Sequence, residues 1–129
     1  MVIDGQADVE RARREVRRLA LALGFGRDPA EEVTIAASEL ATNLLKYAVG
    51  GRIGVAPISG PRGTGILIES KDDGPGIGDV SAALLDGQST GGGLGGGLPG
   101  VRRLMDEVEI ESNQSGTRIT ARKWLTLAS

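Results

Sequence analysis

Glu39, Asn43 and Lys46 lie in the segment Ser38-Glu39-Leu40-Ala41-Thr42-Asn43-Leu44-Leu45-Lys46. Their spacing puts a carboxylate, an amide and an amine on one stripe of a helix. A carboxylate can take a proton from a hydroxyl. An amide oxygen suits a hard cation such as Mg²⁺, which favours oxygen and takes few protein ligands. Further on, Lys71-Asp72-Asp73-Gly74-Pro75-Gly76-Ile77 sets a carboxylate before a Gly-x-Gly turn. Then comes Ser89-Thr90-Gly91-Gly92-Gly93-Leu94-Gly95-Gly96-Gly97-Leu98-Pro99-Gly100, with seven glycines in the ten residues 91–100. Such a loop lets backbone N–H groups approach phosphates closely. A carboxylate beside it suits a base with an exocyclic amine. Together the segments suggest a nucleotide site.

Each segment has a plainer reading when taken alone. The helical stripe reads as a solvated polar face. The aspartate reads as an acidic turn. The glycine run reads as a flexible linker, yet it sits inside the chain and leads into a helix. A loop that orders over a ligand gives its entropic cost a purpose. Gly95, Gly97 and Gly100 match Gly-x-Gly-x-x-Gly, but no strand precedes them, which argues against a dinucleotide fold. No phosphate-binding P-loop pattern occurs anywhere in the chain.

The elements that must carry these groups follow from periodicity. Val9, Ala12, Val16, Leu19, Ala20 and Leu23 predict an amphipathic helix over residues 8–23, ended by Gly24-Phe25-Gly26. Its outer face carries Arg11, Arg13, Arg14, Arg17 and Arg18. Of these, Arg11, Arg14 and Arg18 share a stripe, open either to an acidic partner or to solvent. Asp28-Pro29-Ala30-Glu31 predicts the start of a second helix, with Asp28 as cap and Glu31 completing a capping box. That helix extends to Ala48 and faces the core with Val33, Ala37, Leu40 and Leu44. Residues 52–58 and 65–71 read as strands joined through Gly60-Pro61-Arg62-Gly63. Val80–Leu85 and Pro99–Asp106 read as short helices. Residues 108–112 and 116–124 close the chain as two strands turned at Asn113–Gly116, with Thr117, Ile119 and Ala121 on one face. The order predicts an α+β fold, a two-layer sandwich with helices on one face of a mainly antiparallel sheet.

Composition narrows the chemistry. The 129 residues suit a single domain, residues 1–129, with an aliphatic core, since the aromatics are Phe25, Tyr47 and Trp124 alone. Few aromatics and a net charge of −2 argue against a nucleic-acid partner. The chain has no cysteine and no histidine, which excludes disulfides, thiolate chemistry, Ser-His-Asp catalysis and a phosphohistidine. No apolar run is long enough to span a membrane, and no signal-like segment opens the chain. The expectation is a soluble cytoplasmic protein with no membrane partner.

Taken together, the segments resemble the GHKL ATPase/kinase superfamily and its Bergerat nucleotide fold. Glu39 and Asn43 match its N box. Asp72-x-Gly74-x-Gly76 matches the first glycine box, and Gly95-x-Gly97 the second, within the ATP lid. Gly116-Thr117 matches the last small motif. Within the superfamily the pattern is most similar to the RsbT-type switch kinases of bacterial stressosomes, through Ser38–Asn43, Asp72–Ile77, Ser89–Val101, Leu104–Glu107 and Gly116–Ile119 with Lys123-Trp124-Leu125.

The resemblance implies a serine/threonine protein kinase using Mg²⁺ and ATP. Its implied partners are STAS-domain antagonist and scaffold proteins of a stressosome, then a downstream phosphatase or other signalling enzyme. It implies that Glu39 takes the substrate proton, that Asn43 ligates Mg²⁺, and that Asp72 accepts from the adenine amino group. Gly74 and Gly76 would leave room for the base. Gly95, Gly97 and Leu98 would present N–H groups to phosphates, and Thr117 would hold a water near adenine. Ile77 and Thr90 complete the implied nucleotide-binding set. Lys46 matches no family motif. Related anti-sigma kinases carry a lid arginine where this chain has Gly92-Gly93-Leu94, which favours the switch-kinase branch. An anti-sigma factor kinase and a nucleotide-gated binding module with little catalysis are the alternatives.

Overall fold

The computed structural model describes residues 1–47, 51–74 and 97–125. Among them are three helices and four strands: α1 (Gln6–Leu23), α2 (Arg27–Tyr47), β1 (Arg52–Gly60), β2 (Gly63–Asp72), α3 (Leu98–Leu104), β3 (Glu107–Asn113) and β4 (Gly116–Trp124). The strands form one antiparallel sheet in the order β1-β2-β4-β3. The expected α+β sandwich is the fold found. The expected helix at Val80–Leu85 lies outside the described residues.

Register sorts the sheet into rows, because side chains alternate between faces. On the helix side, Val55, Ile68, Ala121 and Val108 form one row, and Ile53, Ser70, Ile119 and Ile110 the next. The row at the rim is polar: Asp72, Thr117 and Ser112. The inner rows pack under the helices, where Ile66, Ile68 and Ala121 are fully buried. On the opposite face, Arg122 meets Glu109 at 2.9 Å and Arg118 meets Glu111 at 3.7 Å across β3 and β4. Such exposed pairs contribute about 0–1 kcal/mol each.

α2 is the central helix, packed against α1, α3 and the sheet. Val33, Ala36, Ala37, Leu40 and Ala41 are all fully buried. This burial is wider than the single apolar stripe expected from the sequence, because small alanines let neighbours close on two sides. Truncating Leu40 to alanine would cost about 2–5 kcal/mol. α1 keeps its expected face, with Val9, Ala12, Val16 and Ala20 buried. Its end is a Schellman turn: Phe25 N–H donates to Ala20 O and Gly24 N–H to Leu21 O. Gly24 takes the left-handed conformation that this turn needs.

Several boundaries differ from expectation. α2 begins two residues early, with the Gly26 carbonyl accepting Ala30 N–H at 2.9 Å. Asp28 therefore lies inside the first turn, and the Glu31 carboxylate accepts from Arg17 of α1 instead of closing a capping box. α3 stops at Leu104, where Lys123 Nζ donates to the Leu104 carbonyl at 2.8 Å. Asp106 is then free of the helix, and its carboxylate accepts Trp124 N–H at 2.8 Å. The first hairpin is tighter than expected, since β1 and β2 extend to Gly60 and Gly63.

The end of the sheet far from the polar row is pinned. Trp124 Nε1 donates to Glu107 at 2.6 Å, and the Arg62 guanidinium lies 5.6 Å from the centre of the indole. The indole lies against Gly65, where a side chain would collide with it.

Candidate nucleotide site

Glu39 sits mid-way along α2 and is 8% exposed. A buried carboxylate is costly unless hydrogen-bonded. Here Gly97 N–H donates to Glu39 Oε2 at 3.2 Å. Gly97 is the residue before α3 and has a φ of 71°. Its own carbonyl accepts Val101 N–H at 3.0 Å, starting the helix. Leu98 and Val101 are buried and anchor α3 in the core. The end of the glycine-rich segment is thus tied to Glu39 by backbone, and to the core by side chains.

Along α2 the polar stripe runs outward from the core. Glu39 is buried, Asn43 is half-buried and Lys46 is exposed. Leu44 packs against Gly51, just before β1, and Arg52 of β1 pairs with Lys71 of β2. The last turns of α2 therefore lie over the same rim of the sheet that ends in Asp72. Asn43 can offer one amide oxygen to a cation. Among the described residues no cluster of carboxylates could hold a metal by itself. This donor set fits Mg²⁺ shared with phosphate oxygens and water, the usual habit of that ion.

Asp72 ends β2. Its Oδ1 accepts Gly74 N–H at 2.8 Å, an Asx turn that fixes the carboxylate and starts the glycine segment. Thr117 stands beside it on β4 and is 7% exposed. On its other side, the Ser112 and Thr117 hydroxyls lie 2.9 Å apart. Gly116 lies so close to Asp72 that a Cβ would overlap the Asp72 carbonyl oxygen. A cavity of about 160 Å³ opens at this rim, but Lys71, Glu111 and Arg118 in its lining belong to the sheet face turned away from the helices.

The structure therefore pairs Glu39 with Gly97, and Asp72 with Gly74 and Thr117. Gly76, Ile77, Thr90 and Gly95 lie outside the described residues, as does the lid around them. Ser112 was not singled out from the sequence. Its signal was available: a strand ending at Asn113, turned back at Gly116, places residue 112 opposite residue 117. The arginine stripe on α1 is not a bare basic face. Arg11 pairs with Asp8, Arg18 with Glu15 at 2.8 Å, and Arg17 with Glu31 at 3.3 Å.

Residues 4–123 match the histidine kinase-like ATPase domain model, and the chain belongs to this family. It is 46% identical over 119 residues to the serine/threonine-protein kinase RsbT of Bacillus subtilis, covering 92% of this chain and 90% of that one. By this relationship the chain is a protein kinase of the serine/threonine class. A solved structure holding RsbU and RsbW domains from Mycobacterium tuberculosis superposes with a TM-score of 0.68 at 19% identity. It matches all of this chain, which spans 32% of that one. The histidine kinase domain of a blue-light activated kinase from Erythrobacter litoralis gives a TM-score of 0.57, also at 19% identity, over 92% of this chain and 60% of that one. These two likenesses establish the fold. No helix among the described residues is long and apolar enough to cross a membrane.

Proposed function

We propose that this chain is one cytoplasmic GHKL domain that transfers phosphate from Mg-ATP to STAS-domain antagonist and scaffold proteins of a bacterial stressosome. It then engages a downstream phosphatase or other signalling enzyme. The observation that carries the transfer reading is Glu39: a carboxylate buried on α2 and held by Gly97 N–H. Burying a carboxylate is costly, so packing alone would favour an apolar side chain at this position.

Glu39 accepts the proton of the acceptor serine or threonine as that oxygen attacks the γ-phosphorus. The new O–P bond forms while the bond from the γ-phosphorus to the β–γ bridging oxygen breaks, and ADP carries away the electron pair. Asp72 receives the adenine amino group, and the Gly74 N–H keeps its carboxylate oriented. Thr117 lies beside Asp72 and holds a water at the base. Asn43 would hold Mg²⁺, which would supply charge to offset that of the phosphates. Gly76, Ile77, Thr90, Gly95 and Leu98 complete the nucleotide-binding set in this reading, and Gly97 joins it only when its N–H, here given to Glu39, turns to a phosphate.

The test is transfer from [γ-³²P]ATP to a purified STAS-domain protein. Label on the partner with the native chain, and none with Glu39→Gln, is expected. Tight ATP binding without any transfer by the native chain would instead make it a nucleotide-gated binding module.

A further inference from the structure

The polar row at the sheet rim contains one group that the transfer chemistry leaves unassigned. Ser112 of β3 faces Thr117 of β4, with hydroxyl oxygens 2.9 Å apart, and Thr117 in turn stands beside Asp72 of β2. The three side chains run in sequence across adjacent strands, on the helix side of the sheet.

Thr117 is nearly buried, and its β-branched side chain is stiff at χ1. Its oxygen is therefore fixed in place by the strand, and only its proton can rotate. A hydroxyl has one donor and two acceptor sites. A bond to Ser112 commits one of them and so decides what Thr117 can offer on its other side, toward Asp72. We propose that Ser112 is a positioning residue for nucleotide: it acts through Thr117, orienting the buried hydroxyl that faces the base. This rests on the assignment of Asp72 and Thr117 to the adenine end of the site. Ser112 lies one strand beyond Thr117 from Asp72, so its effect is read in nucleotide affinity.

The experiment measures ATP affinity by calorimetry, with kcat and KM for transfer, in Ser112→Ala, Ser112→Thr, Thr117→Val and the Ser112→Ala/Thr117→Val double variant. Loss of one neutral hydrogen bond corresponds to roughly a 5- to 10-fold change in binding. Ser112→Ala should raise the Kd and KM for ATP by about that factor, with kcat at saturating ATP unchanged. Ser112→Thr, which restores a hydroxyl on a β-branched frame, should recover native affinity. In the Thr117→Val background, Ser112→Ala should change nothing further. Equal effects of Ser112→Ala in both backgrounds, or native affinity in the single variant, would overturn the proposal. Thermal unfolding of each variant separates a loss of fold from a loss of positioning. If Thr117→Val itself keeps native ATP affinity, the adenine assignment falls, and the role of Ser112 with it.

Discussion

Gly116 packs directly on the Asp72 carbonyl: a Cβ at residue 116 would overlap that oxygen, and the φ of Gly116 is 150°. β4 therefore starts with its backbone pressed against the end of β2. This close approach sets the spacing between the Asp72 and Thr117 side chains, which are paired in register.

Gly116→Ala should thus disturb fold and site together. A side chain in that conformation costs of order 1–3 kcal/mol, and relief requires β2 and β4 to part at the rim. Urea unfolding should show lower stability. Calorimetry should show weaker ATP binding even under conditions where the variant remains folded. Native affinity in a folded Gly116→Ala protein would mean that the spacing of the strands at this rim does not matter to the ligand.

Asp72→Asn separates two roles of one side chain. The amide oxygen can still accept Gly74 N–H, so the Asx turn and the fold should persist. The other terminal atom becomes a donor facing the adenine amine, also a donor. An unpaired buried group costs roughly 1–3 kcal/mol, so the Kd for ATP should rise by about 5- to 150-fold. Unfolding curves should overlay those of the native chain.

Much of this was legible in the sequence because alternation and helical periodicity report on one element at a time. Thr117, Ile119 and Ala121 showed their shared face, as did Val9, Ala12, Val16 and Ala20. What could not be read was contact between elements. Glu39 looked like part of a stripe beside the core, yet it is buried, because α3 closes over that side of α2. Asp28 looked like a cap, but Gly26 supplies the first helical carbonyl. The end of α3 depended on Lys123, a strand residue nineteen positions past Leu104. Ser112 gained meaning only once hairpin register set it against Thr117.

Glu39 also has two roles, which a pair of variants separates. Glu39→Gln keeps an acceptor for Gly97 N–H and removes the base. Transfer should fall by about 10²–10⁴, with stability near native. Glu39→Ala should lose the same activity and also leave that buried N–H without its acceptor, lowering stability by about 1–3 kcal/mol. Transfer by Glu39→Gln at the native rate would remove Glu39 from the chemistry.

Asp8 gives a pH signature at the start of α1. Its carboxylate accepts the N–H groups of Asp4 at 2.9 Å and Gly5 at 3.2 Å, and pairs with Arg11. The Asp4 N–H is the main cause holding its pKa below the ordinary 3.8, with Gly5 and Arg11 adding to it against partial desolvation. A depressed folded pKa contributes stability above the unfolded value and loses it as pH falls through the folded one. Asp8→Ala should therefore lower the Tm at neutral pH. The gap from the native chain should narrow as pH drops below 3.8. A constant gap down to the acid transition would show that the charge of Asp8 is not what stabilises the helix start.

Whether charge on the outer face of α1 steers partner capture can be tested, and the ion pairs there sharpen which residue to change. Arg11 and Arg18 are each paired with an acidic neighbour one turn away. Arg14, between them on the stripe, is exposed and makes no ion pair among the described residues. Reversing Arg11 would also disturb the Asp8 cap, so its effect on binding would be mixed with stability. Arg14→Glu avoids that. If an acidic STAS-domain partner is steered to this face, Arg14→Glu should slow its association by about 2- to 10-fold at low salt, as long-range attraction acts mainly on the on-rate. ATP affinity and thermal stability should stay native, since Arg14 lies on a different element from Asp72 and Thr117. The difference should shrink as ionic strength rises and the Debye length falls from about 30 Å at 0.01 M to about 8 Å at 0.15 M. Stopped-flow association across that salt range reads both effects. An unchanged on-rate at 0.01 M would return the whole stripe to ordinary solvated surface.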